Sequence, residues 1–508
     1  MKKIIAIVAL FGILSSCTDL SDKLYDRISG DKYPENPEQA GLMLIPVLQP
    51  LQDYCDRGAY WFAQELTGDG IVCPTRGTDW DDGGKWRVLH QHTWTNDVEA
   101  VNSMWDKFYK GIYEANKFIE FFKPAADANQ PAALISIAKA KALRAFYYWN
   151  AIDTYGDVPF VIAYANAEKN PYRNYKAEIW QKIVSELETD VLPYVNSFSN
   201  TKLSVSKGMV YTLLAKLYLN SKVYLGQDNF DTEHLNKALK YCDTVIENCG
   251  YSLETDVKAP FATNNENSFE NIFCIGYDEN NYKGFNLHMR TLHYDSQKTF
   301  NMKVQPWNGF AATEAFYNSF EANDKRKQFF LVGEQFTYSG APLEESTLKE
   351  RLNFSVNIPA LHMKAGEHTP AQIRMSGVRV VKFEVKIGAT DNLSNDFPLF
   401  RLADVILMRA EIKVRLNGNG AGDSDLNLIR QRAGLSPISG ASLVEILTER
   451  KKELFWEAHI RTDLIRYGKF LDAWWEKDAS STDRLNFPIP KWAVDANANL
   501  ASEIKHIQ

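Results

Sequence analysis

Residues 74–94 contain the side chains in this chain that are most suited to binding a ligand. Three tryptophans, Trp80, Trp86 and Trp94, fall within fifteen residues and are interleaved with carboxylates, arginines and glycines. Glycine disfavours a regular helix and allows tight turns, and Asp and Gly are depleted in strands, so the pattern predicts a loop. Large rings on a loop are hard to bury. We therefore expect flat aromatic faces at the surface, the alternative being indoles packed into the core beneath the loop.

Carbohydrate binding is the chemistry that such a loop suits. A sugar ring has C–H groups on its flat face and hydroxyls around its rim, which match an aromatic face flanked by charged side chains. Arg76, Asp79 and Asp81 are predicted to hydrogen bond those hydroxyls. Asp79 and Asp81, together with Asp82, could instead hold Ca2+, which is the least favoured of these roles.

Residues that would indicate catalysis or a metal centre are not evident. The chain contains no Gly-x-Ser-x-Gly elbow and no His-Glu-x-x-His pair. His90 and His92 could share one face of a strand and bind a metal, but no third ligand is close in sequence, so a hydrogen-bonding role is favoured. A glycosidase needs only two carboxylates at a fixed separation, so that alternative stays open. We expect no catalytic residue, no metal and no cofactor.

The elements that must position the loop are mainly helical. Apolar side chains recur at helical spacing over about residues 34–250 and 400–475. The clearest predicted helix is 132–155, another is predicted over 461–475, and a kink or break is expected at Pro46 and Pro50. About residues 66–95 and 251–396 are loop-rich, with short alternating runs. The predicted fold is mainly α: helical hairpins that resemble tetratricopeptide units, packed against an irregular part with a few short strands.

The first residues have the features of a lipoprotein signal. Two lysines precede an apolar run, residues 4–14, which is too short to span a bilayer. The run ends in Leu14-Ser15-Ser16-Cys17, which resembles a bacterial lipoprotein signal and predicts removal of residues 1–16 and lipidation of Cys17. A plain secretory signal is the alternative. Several acyl chains on Cys17 would satisfy the requirement of stable anchoring for more than one chain.

The composition is that of an ordinary globular protein, with 45% hydrophobic and 24% charged residues. A net charge of −7 argues against a nucleic-acid partner, which requires a basic surface. Five cysteines besides Cys17 are scattered without the spacing of a zinc site, and we interpret them as buried thiols. Cys242 and Cys249 are close enough in sequence to meet, but a disulfide is not predicted.

Four sequence stretches resemble one known family. They are residues 138–159, with Lys139-Ala140-Lys141-Ala142-Leu143-Arg144 and Gly156-Asp157-Val158-Pro159, residues 401–411, residues 426–435, and residues 449–468. With the lipoprotein signal they cover nearly the whole chain in the expected order. The chain thus resembles the SusD/RagB family of surface lipoproteins from Bacteroidetes. It departs from the family at Ala458, usually Gly, at Ile460, often Arg, and at its end, which lacks the customary Asn-Pro-Gly-Tyr.

This resemblance implies a function and a partner. It implies a non-catalytic glycan-binding protein, lipid-anchored in the outer membrane at the cell surface, and a SusC-like TonB-dependent transporter that it covers as a lid. It also implies that glycan stacks on aromatic residues from the early loop and from the middle of the chain. Trp307, Asn308 and Tyr282 are the candidates in that second region. The alternatives are a structural lid subunit, a peptide-binding protein and, less favoured, a glycoside hydrolase.

Overall fold

The computed structural model describes residues 41–56, 59–196 and 201–507. Cys17 and the predicted signal peptide lie outside the described residues. Within these ranges, no helix combines the length and the apolar character needed to cross a membrane.

Helices form most of the regular structure, which confirms the prediction of a mainly α-helical fold with few short strands. The two longest, Glu99–Asp127 and Pro131–Tyr155, pack against each other as a hairpin. They approach closely at Gly111, where an added Cβ would lie 2.2 Å from the ring of Tyr147. Tyr147 is fully buried, as expected for the core-facing side of that helix.

The described α-helices are Ile45–Leu48, Tyr60–Glu65, Arg87–His90, Glu99–Asp127, Pro131–Tyr155, Lys176–Glu186, Lys207–Leu219, Ser221–Tyr224, Thr232–Asn248, Leu287–Thr291, Ser296–Thr299, Glu314–Asn318, Pro370–Met375, Leu402–Asn417, Asp423–Arg432, Leu443–Leu454, Ile460–Arg466 and Lys491–Ala496. The described strands are Ile71–Val72, Thr75–Arg76, Arg173–Asn174, Asn271–Ile275, Ala311–Ala312, Phe330–Leu331, Gly333–Glu334, Asn353–Phe354, His362–Met363, Arg379–Val380, Phe397–Arg401 and Ile504–Lys505.

Two helix predictions can be compared with the observed boundaries. The kink expected at Pro46 and Pro50 appears as a change from α-helix to a 3-10 helix at Gln49–Cys55. The helix expected over 461–475 ends at Arg466, so the prediction is wrong for residues 467–475. Gly468 has φ of +67°, a left-handed conformation that favours glycine and stops a right-handed helix.

A buried ion network joins the loop-rich part to the helices. The guanidinium of Arg401, on the strand Phe397–Arg401, lies 2.7 Å from Glu457 Oε1 and 2.8 Å from Glu453 Oε1, and it also contacts Glu270. We call Arg401, these three glutamates and the cations that share them the scaffold ion network; the further cations are Arg326, Lys382 and Arg432. Since these side chains are almost completely buried, they are committed to packing.

The cysteines match the interpretation of buried thiols. Cys242 and Cys249 are both buried and free. Burial raises the pKa of the Cys249 thiol to about 11, so it is protonated at neutral pH.

Candidate functional site

Short strand pairings join the start of the tryptophan-rich loop to two later segments of the chain. Ile71–Val72 pairs antiparallel with Ala311–Ala312, and Thr75–Arg76 pairs parallel with His362–Met363. These pairings fix the start of the tryptophan-rich loop and the end of the segment that contains Trp307. The two regions predicted to contribute aromatic residues are therefore neighbours in the structure.

Arg76 and Asn308 are buried within this arrangement and hold its backbone. The Arg76 guanidinium donates to Gly309 O at 3.3 Å and to Ile373 O at 3.1 Å. Asn308 Nδ2 donates to Arg374 O at 2.9 Å, and Asn308 has φ of +55°. Both side chains are buried and hydrogen bond to other parts of the protein. They therefore position the loops, and the prediction that they bond ligand hydroxyls is corrected.

An open concavity of about 590 Å3 lies where the two segments meet. Its lining residues are Asp79, Trp80, Asp82, Lys85, Trp86, Glu99, Arg290, Tyr294, Gln305, Pro306 and Trp307. Three of the predicted tryptophans and one predicted aspartate thus share one surface.

Trp80 and Trp307 form the centre of the concavity. Trp80 Nε1 donates to Trp307 O at 2.7 Å, which links the two segments directly. Trp80 itself has φ of +60°. An added Cβ at Gly309 would lie 2.4 Å from the Trp80 ring, so this close approach requires glycine at position 309. Trp307 is 37% exposed, with the guanidinium of Arg290 5.3 Å from its ring centroid. Its indole is the most accessible aromatic surface in the concavity.

Trp86 and Trp94 are more deeply buried than their loop position suggests. Trp86 is 4% exposed, and its Nε1 donates to Asp82 Oδ2 at 2.7 Å, so only a small part of the ring reaches the concavity. Trp94 is 2% exposed and packs 4.6 Å from the ring of Phe487. It does not line the concavity, so the expectation for Trp94 is wrong and the alternative, an indole in the core, describes it.

Asp81 and Tyr282 lie outside the concavity. Asp81 forms an ion pair of 2.8 Å with Arg87, and a hydrogen bond from Arg87 lowers the pKa of its carboxyl. Tyr282 is 53% exposed, in a turn where its backbone pairs with Asp278. Neither side chain is therefore among those that share the surface of Trp307.

Polar groups around the rim are arranged in pairs. Lys85 Nζ lies 2.8 Å from Glu99 Oε2. The Tyr294 hydroxyl donates to Asp79 Oδ2, and burial together with this bond raises the pKa of Tyr294 to about 12. Asp79 can accept further hydrogen bonds from sugar hydroxyls because a carboxylate has several acceptor positions.

Sequence reasoning did not identify Lys85, Glu99, Arg290 and Gln305 as site residues. Lys85 is adjacent to Trp86, and that position inside the loop was a usable signal. Glu99 and Arg290 begin and lie within helices, and nothing in their local sequence separates them from other charged helical residues. Their place in the site depends on contacts across the fold.

One buried cluster in the described part of the chain contains residue types that can bind a metal. His293, Asp295 and Glu345 place ligand atoms within 4.8 Å of one another. However, His293 Nδ1 accepts the Asp295 N–H at 3.1 Å, and Glu345 Oε1 accepts from Arg374 at 2.6 and 2.7 Å. Both carboxylates of this buried cluster are therefore engaged by other groups of the protein, while His293 Nε2 has no hydrogen-bond partner.

His90 and His92 have the hydrogen-bonding role that the sequence favoured. Their Nε2 atoms donate to Trp475 O at 2.7 Å and to Thr67 O at 2.9 Å. Burial lowers the pKa of His90 to about 4 and that of His92 to about 3, so both rings are neutral at physiological pH.

Two family models match this chain. Residues 269–487 match the model described as the SusD family, and residues 86–212 match the model described as starch-binding associating with outer membrane. The first match contains every residue of the scaffold ion network, and the second contains the long helical hairpin.

Curated relatives match over most of their length. The starch-binding protein SusD of Bacteroides thetaiotaomicron is 24% identical over 471 residues, which cover 83% of this chain and 81% of that protein. The SusD-like protein P25 of Formosa agariphila is 25% identical over 392 residues, covering 73% of this chain and 71% of that protein.

Solved structures share the fold. A SusD superfamily protein from Parabacteroides distasonis superposes with a TM-score of 0.73 at 20% identity, covering 93% of this chain and 99% of that one. Surface glycan-binding protein A from Bacteroides thetaiotaomicron, in complex with laminarihexaose, superposes with a TM-score of 0.72 at 21% identity, covering 90% and 97%.

Proposed function

Because the chain belongs to the SusD/RagB family, we propose that it binds a polysaccharide or oligosaccharide at the cell surface and delivers it to a partner TonB-dependent transporter of the outer membrane. In this proposal Cys17 carries the lipid anchor, and the protein binds its ligand without transforming it. The names of the relatives, which include a starch-binding protein and a laminarihexaose complex, support a glycan as the ligand.

The observation that carries the proposal is the accessible indole of Trp307 beside Trp80 in an open concavity. The flat ring can lie against the C–H face of a sugar, while Asp79 at the rim accepts from its hydroxyls. Trp80, Trp307 and Asp79 are the proposed ligand contacts, with a smaller contribution from Trp86.

A platform of this kind binds weakly. It buries little of a ligand and makes few enclosed polar bonds, so we expect a Kd on the order of mM to µM, or about −4 to −8 kcal/mol. A polymer offers many repeats, and an adjacent transporter adds a second contact, so effective affinity rises by multivalency. Weak binding at each repeat also permits release into the transporter.

Calorimetry against a panel of soluble starch, laminarin and xyloglucan tests the proposal. We expect at least one to bind, and binding to be lost in a Trp80→Ala plus Trp307→Ala variant that retains the wild-type circular dichroism spectrum. Trp492→Ala is the matched control, because Trp492 is 48% exposed but does not line the concavity.

Other outcomes separate the alternatives. If no member of a broad glycan panel binds while the protein still co-purifies with a transporter, the structural lid becomes the better description. Release of reducing ends from a bound glycan would indicate a hydrolase.

A further inference from the structure

The positive charge of Arg290, the more enclosed cation of the concavity, is balanced by a carboxylate of the protein. Its Nη2 lies 2.9 Å from Asp56 Oδ1, and its Nε donates to Asn286 Oδ1 at 3.0 Å. Its guanidinium also lies between two rings, 4.9 Å from the centroid of Phe62 and 5.3 Å from that of Trp307. Arg290 therefore supports the Trp307 ring with its charge balanced by Asp56.

The second cation, Lys85, is balanced in the same way. Lys85 Nζ lies 2.8 Å from Glu99 Oε2 and 4.0 Å from Asp82 Oδ2, and it sits 4.7 Å from the ring centroid of Trp86. Two carboxylates and an aromatic face thus surround one ammonium group. An anionic ligand approaching Lys85 would meet those carboxylates as well.

Carboxylates dominate the accessible rim. Asp79, Asp82 and Glu99 line the concavity against Lys85 and Arg290. The side chain of Asp82 is 47% exposed and that of Glu99 is 36% exposed. The whole chain also carries a net charge of −7, so the longer-range field has the same sign as the rim.

From this charge arrangement we infer that the concavity selects uncharged glycans and rejects those that carry carboxylate or sulfate groups. The inference rests on the proposed function and specifies its ligand class. Stacking on Trp307 is indifferent to charge, whereas a carboxylate on the sugar would lie within a few ångströms of Asp79 or Asp82. Like charges at such distances repel, and the repulsion near a protein surface corresponds to about a tenfold change in Kd.

Chemical derivatives of one polymer isolate charge from shape. Calorimetry would compare whichever of soluble starch, laminarin and xyloglucan binds best with its partly carboxymethylated form, and with a hydroxyethylated form of equal substitution as the uncharged control. We expect the hydroxyethyl form to bind nearly as well as the parent and the carboxymethyl form to bind at least about tenfold more weakly at 0.01 M salt. The difference should shrink at high salt, where the Debye length falls to about 3 Å at 1 M.

Variants at the rim identify the source of the discrimination. Asp82→Asn removes one rim charge while keeping an oxygen that can accept a hydrogen bond from Trp86 Nε1. It should therefore reduce the gap, the ratio of the Kd of the carboxymethyl form to that of the hydroxyethyl form, several-fold. Glu334→Gln is the matched control, because Glu334 is exposed and does not line the concavity, and it should leave the gap unchanged.

The possible results distinguish failure of the charge selection from failure of glycan binding itself. Carboxymethyl and hydroxyethyl forms that bind equally, or polygalacturonate that binds while all three neutral polymers do not, would overturn the selection for uncharged glycans and leave glycan binding intact. If neither neutral nor acidic polymers bind at all, the proposed function itself fails and this inference fails with it. A gap that Asp82→Asn and Glu334→Gln alter equally would assign the discrimination to net charge and overturn the role of the rim.

Discussion

Charged residues serve opposite purposes in the scaffold ion network and in the concavity. In the network, Arg401 is 1% exposed and contacts three glutamates, so its charge is paired within the protein. At the rim of the concavity, Asp82 and Glu99 have partners too, but large parts of their side chains face solvent. The network residues can change only with their partners, whereas rim residues can change singly.

This contrast explains where the family resemblance lies in the chain. Arg401, Glu449 and Glu453 belong to the stretches that carry the resemblance, and all are buried. None of the four stretches contains a residue that lines the concavity. The part of the sequence that identifies the fold is therefore separate from the part that would select the ligand.

Loss of one shared carboxylate from the scaffold ion network should destabilise the protein strongly. Glu453→Leu removes the carboxylate shared by Arg401, Arg432 and Arg326 and leaves buried cations without compensation. We expect a loss of about 3–5 kcal/mol in the free energy of unfolding, measured by urea denaturation. The control Glu334→Gln at an exposed site should change it by less than about 0.5 kcal/mol. A loss below about 1 kcal/mol for Glu453→Leu would show that the network is not a critical element of the scaffold.

Acid should weaken the scaffold through a second buried carboxylate, Glu411. Burial alone would raise its pKa, but the guanidinium groups of Arg466 and Arg415 outweigh burial and lower the pKa from 4.5 to about 2. Since the folded-state pKa is depressed, the stabilisation is present above about pH 4.5 and is lost as pH falls towards 2. The contribution is about 3 kcal/mol.

Urea denaturation at pH values from 7 to 3 checks this prediction. Wild-type stability should fall below pH 4.5, and Glu411→Gln should be less stable at pH 7 but have a shallower dependence on pH below 4.5. Parallel curves for the two proteins would show that Glu411 does not contribute to the acid response.

Local patterns in the sequence predicted the scaffold well and the concavity only in part. The helix Pro131–Tyr155 was predicted at 132–155 because apolar spacing and the stop at Gly156 are local signals. Trp94 and Trp307 could not be distinguished in that way. The burial of Trp94 depends on Phe487, far along the chain, while the exposure of Trp307 depends on a turn held by Trp80. Burial of a loop residue is decided by such distant contacts, which no spacing rule contains.

The Trp307 ring can be removed without touching the scaffold. Trp307→Ala removes an accessible ring, so we expect the Kd for the bound glycan to rise about thirtyfold, or about 2 kcal/mol, as for a central aromatic contact. The unfolding midpoint should stay near that of the wild type. Trp94→Phe is the reciprocal control, because it should lower the unfolding midpoint and leave the Kd of the folded protein unchanged. If Trp94→Phe weakened binding as much as Trp307→Ala, the two regions would not be separable.

Loss of the hydrogen bond from Tyr294 to Asp79 at the rim should weaken binding only slightly. Tyr294→Phe keeps the ring, which lies 4.9 Å from the guanidinium of Arg374, and removes only the hydroxyl that holds Asp79. We expect a several-fold rise in Kd, about 1 kcal/mol, with stability unchanged. Tyr338→Phe, at a tyrosine that is 62% exposed elsewhere, should have no effect.

A double-mutant cycle shows whether Tyr294 acts through Asp79. If it does, the Tyr294→Phe plus Asp79→Ala variant should bind no more weakly than Asp79→Ala alone, because the hydroxyl then has no carboxylate to orient. Additive losses would mean that the Tyr294 hydroxyl contacts the glycan itself. The rim would then resemble the scaffold less, since its pairs would be broken and remade with the ligand rather than kept within the protein.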